Sequence, residues 1–172
     1  MDSTNYDVVI VGGGAAGLTA ALVLGRARRR VAVVDAGQPR NAPAAHMHGF
    51  LSRDGMPPSE LLAAGRAEII GYGVEIIDDT VVVIEPIETG STTDVAFVVR
   101  LQGGRNLTAR RVLVSTGVYD EIPDLPGVRE RWGRDLLHCP YCHGWEVNDQ
   151  PLGVLGGIAG SVDHALLVRQ WS

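Results

Sequence analysis

This 172-residue sequence predicts an α/β fold: a parallel sheet with a small antiparallel meander. Two observations carry the prediction. Short, valine-rich apolar runs alternate with segments of helical periodicity, as expected where crossover helices bury strands on both faces. Between residues 80 and 108, by contrast, apolar runs are separated by turn-rich stretches with no helical period, which reads as antiparallel pairing.

The elements follow in order. Val8 to Val11 is a buried strand ending at Gly12-Gly13-Gly14. Leu18, Ala21, Leu22 and Gly25 recur at helical spacing, and Val31 to Val34 forms a second strand that ends at Asp35. Residues 36–58, dense in proline and glycine, read as a long loop, and such loops in compact domains are usually functional or disordered. A helix over Ser59 to Ile70 sets Leu61, Leu62, Gly65 and Ile69 on one side, and Gly71 and Gly73 end it. Val74 to Ile77 reads as another parallel strand. Thr80–Glu85, Ala96–Leu101 and Asn106–Thr108 form the meander, and Arg111 to Ser115 is a strand stopping at Thr116-Gly117. Beyond Pro123 and Pro126 the chain is irregular as far as Cys139. Pro151 marks a boundary, after which Gly153-Val154-Leu155-Gly156-Gly157 opens a second strand–glycine–helix unit, a weak repeat of the first.

Composition narrows the classes. Apolar residues at 45% and charged residues at 20% describe a globular chain. A net charge of −5 argues against nucleic acid as the partner. The basic cluster Arg26, Arg28, Arg29 and Arg30 reads as a solvated helix end that complements the negative end of the dipole. Two cysteines, with two residues between them, are too few for a secreted disulfide scaffold. The acidic, polar start Met1 to Asp7 is not a signal peptide, and no apolar run nears the roughly 18 residues of a membrane span. The expectation is a cytoplasmic protein without a membrane partner.

The first glycines have a physical purpose. In Gly12-x-Gly14-x-x-Gly17, Gly12 permits a tight turn, Gly14 lets the backbone approach a pyrophosphate, and Gly17 lets helix and strand pack closely. The diphosphate would rest on the positive end of the helix that starts near Ala15 and Ala16. Asp35, 18 positions after Gly17, is placed to accept hydrogen bonds from an adenosine ribose. The pattern does not choose between FAD and NAD, but an acid at position 35 argues against a 2′-phosphate. The plainer alternative is a glycine turn with no ligand.

Cys139-Pro140-Tyr141-Cys142 reads as a redox dithiol. If Pro140 opens a helix, Cys139 stands at its amino terminus, where the dipole favours thiolate. His143 and His138 flank the pair and can carry a proton during exchange. Cys-x-x-Cys-His is also formally a haem-attachment pattern. Zinc held by His138, Cys139, Cys142 and His143 would crowd four ligands into six residues, and two inert buried cysteines are the bland reading. No metal site is expected.

With both elements in view, the chain resembles the thioredoxin-reductase-like pyridine nucleotide-disulfide oxidoreductases, and more closely their bacterial members with Cys-Pro-Tyr-Cys-His-Gly at the dithiol. The resemblance runs through the amino-terminal glycines, Asp35 to Asn41, the His48-Gly49-Phe50-Leu51-Ser52-Arg53-Asp54-Gly55 loop, Ser115-Thr116-Gly117 and the dithiol. It implies a three-layer Rossmann-like FAD-binding part over 1–117. Residues 118–172 would carry the dithiol and the first strand and helix of an NAD(P)-binding domain. It implies electron flow from NADPH through FAD to the dithiol and on to a thioredoxin-like protein or a small-molecule disulfide, in a homodimer. Gly12, Gly14, Gly17 and Asp35 would hold FAD, with Gln38, Arg40 and the loop near His48 beside it and Gly117 approaching by its backbone. Cys142 would face the flavin, Cys139 would exchange with substrate, and His143 would act as acid and base.

Two departures qualify the resemblance. In Gly156-Gly157-Ile158-Ala159-Gly160-Ser161, Ile158 stands where Gly14 stands in the first turn. A branched side chain there obstructs a pyrophosphate, unless Gly157 or Gly160 takes the close contact in a shifted turn. The sequence also stops after one strand and one helix of the second unit. That reads as an amino-terminal fragment or a chain completed by a partner, with weak FAD binding and no turnover with NADPH on its own. The competing functions are a dithiol oxidase that passes electrons through flavin to oxygen, and a catalytically silent nucleotide-binding remnant.

Overall fold

The computed structural model describes residues 5–88 and 95–172. Met1 to Thr4, part of the polar amino-terminal segment, lie outside the described residues. The chain forms two compact units: Met1–Ala42 with Ser59–Asp120, and Pro43–Pro58 with Glu121–Ser172.

The first unit is built on one sheet. β1 (Asn5–Val11) lies between β2 (Val31–Asp35) and β6 (Asn106–Val114), parallel to both, and β3 (Glu75–Asp78) adds to β2 in parallel. β5 (Val95–Leu101) and β4 (Val81–Glu88) extend antiparallel from β6, giving the order β3-β2-β1-β6-β5-β4. Helix α1 (Ala15–Arg26) connects β1 to β2, and α2 (Pro58–Ile70) leads to β3. The α/β class with a parallel sheet and an antiparallel part is therefore as the sequence predicts.

One boundary differs. Asn106–Thr108 and Arg111–Ser115, which read as two strands, are a single nine-residue strand. Thr108 and Ala109 pair on both sides, antiparallel with Val98 and Phe97 of β5 and parallel with Asn5 and Tyr6 of β1. A strand has two hydrogen-bonding edges, so one segment can join a meander to a parallel sheet. The polar Arg110-Arg111 pair at its middle interrupts the apolar run and hides that continuity.

Alternation sends side chains to both faces of the sheet. Ile10, Val31 and Val33 pack with Leu18 and Ala21 of α1 and Ile69 of α2. On the other face Val9, Ala32 and Val34 pack with Val99 and Leu101 of β5 and Leu107 and Ala109 of β6. β2 is thus buried on both sides, which is why its sequence is continuously apolar. At the strand-start edge Tyr6 is buried, its hydroxyl donating to Glu75 Oε2 while Arg105 Nη1 donates to Glu75 Oε1 at 2.9 Å. Burial, reinforced by the Glu75 carboxylate, pushes the Tyr6 phenol up to about 12.

The second unit contains α3 (Val128–Arg131), α4 (Pro140–His143), a 3-10 turn at Trp145–Val147 and α5 (Gly160–Val168). The long loop expected over 36–58 contributes residues 43–58 to this unit. It closes on itself through Met47 N–H to the Met56 carbonyl at 3.0 Å and Gly55 N–H to the Met47 carbonyl at 2.8 Å. Of the expected second strand–glycine–helix unit, the helix is present as α5. Gly153–Leu155 carries no ladder among the described residues, because a parallel strand exists only beside a neighbour and none lies there.

Candidate functional site

The glycine turn is built by collisions it avoids. Gly12 has φ +103°, and a Cβ there would lie 2.5 Å from the Ser115 carbonyl oxygen. A Cβ on Gly17 would run into the Gly12 carbonyl oxygen, so α1 starts hard against the end of β1. Gly13, which the spacing rule passes over, is equally constrained: its Cβ would lie 2.6 Å from Asp35 Oδ2. Gly14 is the exception. It caps α1 in extended backbone, and a Cβ there meets nothing within 4 Å. Gly14, with the exposed Ala15 and Ala16, leaves open space before the first-turn N–H groups, which have no side-chain cap. Bare donors, a positive dipole end and no Cβ suit a nucleotide diphosphate.

Ser115 locks this turn to β6. Its N–H donates to the Val11 carbonyl at 2.8 Å, and its hydroxyl lies 3.0 Å from both the Val11 and Gly12 carbonyl oxygens. Gly117 follows with φ +72° and open space at its Cβ position. Gln38 is exposed on the loop leaving β2, and Arg40 on the same loop donates twice to Asp120.

Asp35 ends β2 as expected, but its carboxylate has a partner that sequence reading missed. Arg66 Nη2, from α2, donates to Asp35 Oδ2 at 2.6 Å, while Nη1 reaches Asp78 Oδ1 at 3.0 Å. Partial burial alone would raise the Asp35 carboxyl. The Arg66 hydrogen bond, with the Gly13 and Gly37 N–H groups, outweighs burial and holds it below the ordinary carboxylate range. Arg66 is one more arginine on a helix in sequence, and no spacing marks it; only the crossover brings it to Asp35.

The dithiol sits as the proline suggests. Cys139 is the extended N-cap of α4, Pro140 is its first residue, and Cys142 N–H donates to the Cys139 carbonyl at 3.3 Å. Both cysteines are half-buried thiols. Helix α4 is a single turn of four residues. Its exit is rigid: a Cβ on Gly144 would lie 2.5 Å from the Pro140 carbonyl oxygen and 2.7 Å from the Trp171 ring. Tyr141 meets the same ring edge-on at 5.2 Å, and His138 stacks on Trp132 at 6.0 Å.

Cys139 and His143 line a largely apolar cavity of about 560 Å³ within this unit, along with His138 and His164. Leu152–Leu155 and Val168 also line it. Cys142 is not part of the lining. The two sulfurs therefore have different surroundings. His48 also belongs here: Nδ1 lies 3.5 Å from Asp54 Oδ1 and Nε2 3.3 Å from Glu146 Oε1, linking the 43–58 loop to the segment just past the dithiol. Among the described residues no three His, Cys, Asp or Glu side chains converge as a metal-ligand set.

The second glycine turn differs in kind from the first. Helix α5 is capped by Ala159, in helical backbone, where α1 is capped by extended Gly14. The turn is one residue longer, and Ile158 points its side chain to solvent, 80% exposed. Ser161 folds back so that its hydroxyl accepts from Ile158 N–H at 3.3 Å, and a Cβ on Gly156 would collide with it; a Cβ on Gly157 would meet nothing.

Comparison with known proteins agrees with this geometry. The family model for pyridine nucleotide-disulphide oxidoreductases matches residues 6–170. The thioredoxin reductase tcpT of Claviceps purpurea is 35% identical over 99% of this chain and 53% of its own length. The crystal structure of HlmI superposes with a TM-score of 0.94 at 64% identity, covering 98% of this chain and 52% of that one. An oxidoreductase from Agrobacterium tumefaciens superposes with a TM-score of 0.90 at 41% identity, covering 98% and 56%. The chain thus spans about half the length of these relatives. It belongs to the pyridine nucleotide-disulphide oxidoreductase family, on the thioredoxin-reductase-like side.

Proposed function

We propose that this chain is the FAD-binding and dithiol-bearing part of an FAD-dependent disulfide oxidoreductase. The observation that carries the reading is the asymmetry of the dithiol: Cys139 faces a cavity and Cys142 does not. Gly12, Gly14 and Gly17, with the first-turn N–H groups, hold the FAD diphosphate, Asp35 takes the ribose, and Gln38, Arg40 and Gly117 flank the cofactor. When bound, FAD supplies a two-electron couple for the dithiol, which NADPH replenishes. At the second turn Gly157, where a Cβ would meet nothing, is the point of approach open to NADPH, while Gly156 beside it is covered by Ser161. Residues 1–117 form the cofactor part, and 118–172 the dithiol and the start of the nicotinamide part.

In the reductive direction the Cys139 thiolate attacks one sulfur of the substrate disulfide and expels the other as a thiolate, which His143 protonates. Cys142 then attacks the Cys139 sulfur, releases the second substrate thiol and leaves a Cys139–Cys142 disulfide. The substrate gains two electrons and the dithiol loses two. The cavity volume lies in the range of small-ligand pockets, which supports a small-molecule disulfide over a thioredoxin-like protein. The protein acts as a cytoplasmic homodimer.

The Ser161-filled second turn favours one other direction. A nicotinamide site so altered suits a dithiol oxidase, in which a substrate dithiol reduces the Cys139–Cys142 disulfide and oxygen takes the electrons. The deciding experiment titrates the 172-residue chain with FAD, then offers NADPH and a model disulfide, or a dithiol and oxygen alone. Flavin uptake with disulfide exchange that Cys139→Ser abolishes is expected. No flavin uptake, or exchange indifferent to Cys139→Ser and Cys142→Ser, overturns the reading and leaves a silent nucleotide binder. Oxygen consumption without nicotinamide selects the oxidase.

A further inference from the structure

Arg40 lies on the loop leaving β2, and Asp120 on the loop leaving β6. The strand order β2-β1-β6 puts these loops on either side of the Gly12–Gly14 turn, at the carboxyl edge of the sheet. That edge is where open α/β sheets receive ligands. Arg40 Nε and Nη2 donate to Asp120 Oδ2 and Oδ1 at 2.8 and 2.6 Å. A two-pronged guanidinium–carboxylate contact fixes orientation as well as distance. The side chains are 37% and 22% exposed, so solvent screens the pair only in part. Each loop also contains a glycine in the left-handed region, Gly37 at φ +69° and Gly117 at φ +72°, a point at which backbone can swing. The chain passes into the second unit directly after Ala42 and after Asp120, so both departures are tied at the sheet.

We propose that Arg40 and Asp120 are positioning residues. Their ion pair clasps the two lips of the dinucleotide groove and holds the Gly37 and Gly117 loops at the spacing a flavin nucleotide needs. This rests on the FAD reading above. It assigns Arg40 to Asp120 and not to the cofactor itself: with its guanidinium engaged by a carboxylate, Arg40 presents little net charge to a diphosphate.

The test measures FAD release from the 172-residue chain by recovery of flavin fluorescence after dilution. The variants are Arg40→Gln, Asp120→Asn and the exchange Arg40→Asp with Asp120→Arg. Each single variant should speed release about three- to tenfold, the scale of a partly exposed bidentate pair, and the exchange should restore it to within about twofold. Release unchanged by Asp120→Asn overturns the clasp. Loss of FAD on Arg40→Gln alone, without rescue by the exchange, makes Arg40 a direct ligand and also overturns it. Amide hydrogen exchange on the FAD-free chain separates this from failure of the flavin reading. If the wild-type chain takes up no FAD, the flavin reading falls and the clasp is judged on exchange alone. Faster exchange in residues 36–42 and 115–120 together in Asp120→Asn upholds it, and a change confined to one loop overturns it.

Discussion

Replacing Gly12, Gly14 and Gly17 with alanine one at a time separates two jobs that the turn performs. At Gly12 alanine must adopt φ +103° and bring its Cβ to 2.5 Å from a backbone oxygen. Backbone strain costs about 1–3 kcal/mol, and the forced shift about as much again. The sum, about 2–6 kcal/mol, lowers the melting midpoint of a domain of this size by roughly 5–20 °C. At Gly17 the obstacle is also a backbone oxygen but φ is ordinary, so about 1–3 kcal/mol is expected. At Gly14 the added Cβ enters open space from a backbone that alanine accepts, so the fold should lose less than about 1 kcal/mol. On the proposed reading that methyl would take the diphosphate's place, so flavin affinity should fall at least about tenfold. Urea unfolding of the three FAD-free variants, beside flavin titration, makes the comparison. Gly14→Ala unfolding as easily as Gly12→Ala, or binding FAD as tightly as wild type, would refute the reasoning.

Four further outcomes follow from the contacts. Asp35→Asn should cost about 1–2 kcal/mol at pH 7. Because folding depresses this carboxyl, its contribution is present above the usual value of 3.8 and lost as pH falls through the folded value, so urea melts of the two proteins should converge below about pH 4. Tyr6 is raised from 10.0 to about 12, so its stabilisation is complete below pH 10 and lost as pH climbs to about 12, and Tyr6→Phe should remove that loss in unfolding experiments across this range. Gly144→Ala should press on Pro140 and Trp171, loosen the dithiol segment and raise the rate of Cys139 alkylation several-fold, with little effect on unfolding of the first unit. A double-mutant cycle of His48→Ala and Glu146→Gln should return a coupling of about 0.3–1 kcal/mol, given the exposure of the pair, and a value of zero would dissolve the link between the loop and the dithiol segment.

Much of this was legible along the chain because the information is local. A strand buried on both faces has to be continuously apolar, so Val8–Val11 and Val31–Val34 announce themselves. Gly12 and Gly17 follow from a turn with no room for Cβ, and Cys139 before Pro140 from the rule that proline opens a helix. Gly13 escaped the motif because what forbids its Cβ is Asp35, far along the chain. The same holds for Arg66 on Asp35, Arg40 on Asp120 and His48 on Glu146. Polar side chains on loops and helix surfaces have no period to betray them; their partners are set by which crossover or loop returns beside which strand end. The double pairing of β6 is of this kind too, since its two edges are filled by β1 and β5 from distant parts of the sequence. By itself, then, the sequence determined the central buried strands, the glycine turn and the placing of Cys139 at a helix start, each written by short-range sterics. Only the tertiary structure decided which charges meet, which loops join the dithiol segment and which sulfur faces the cavity, because those depend on chain closure in space.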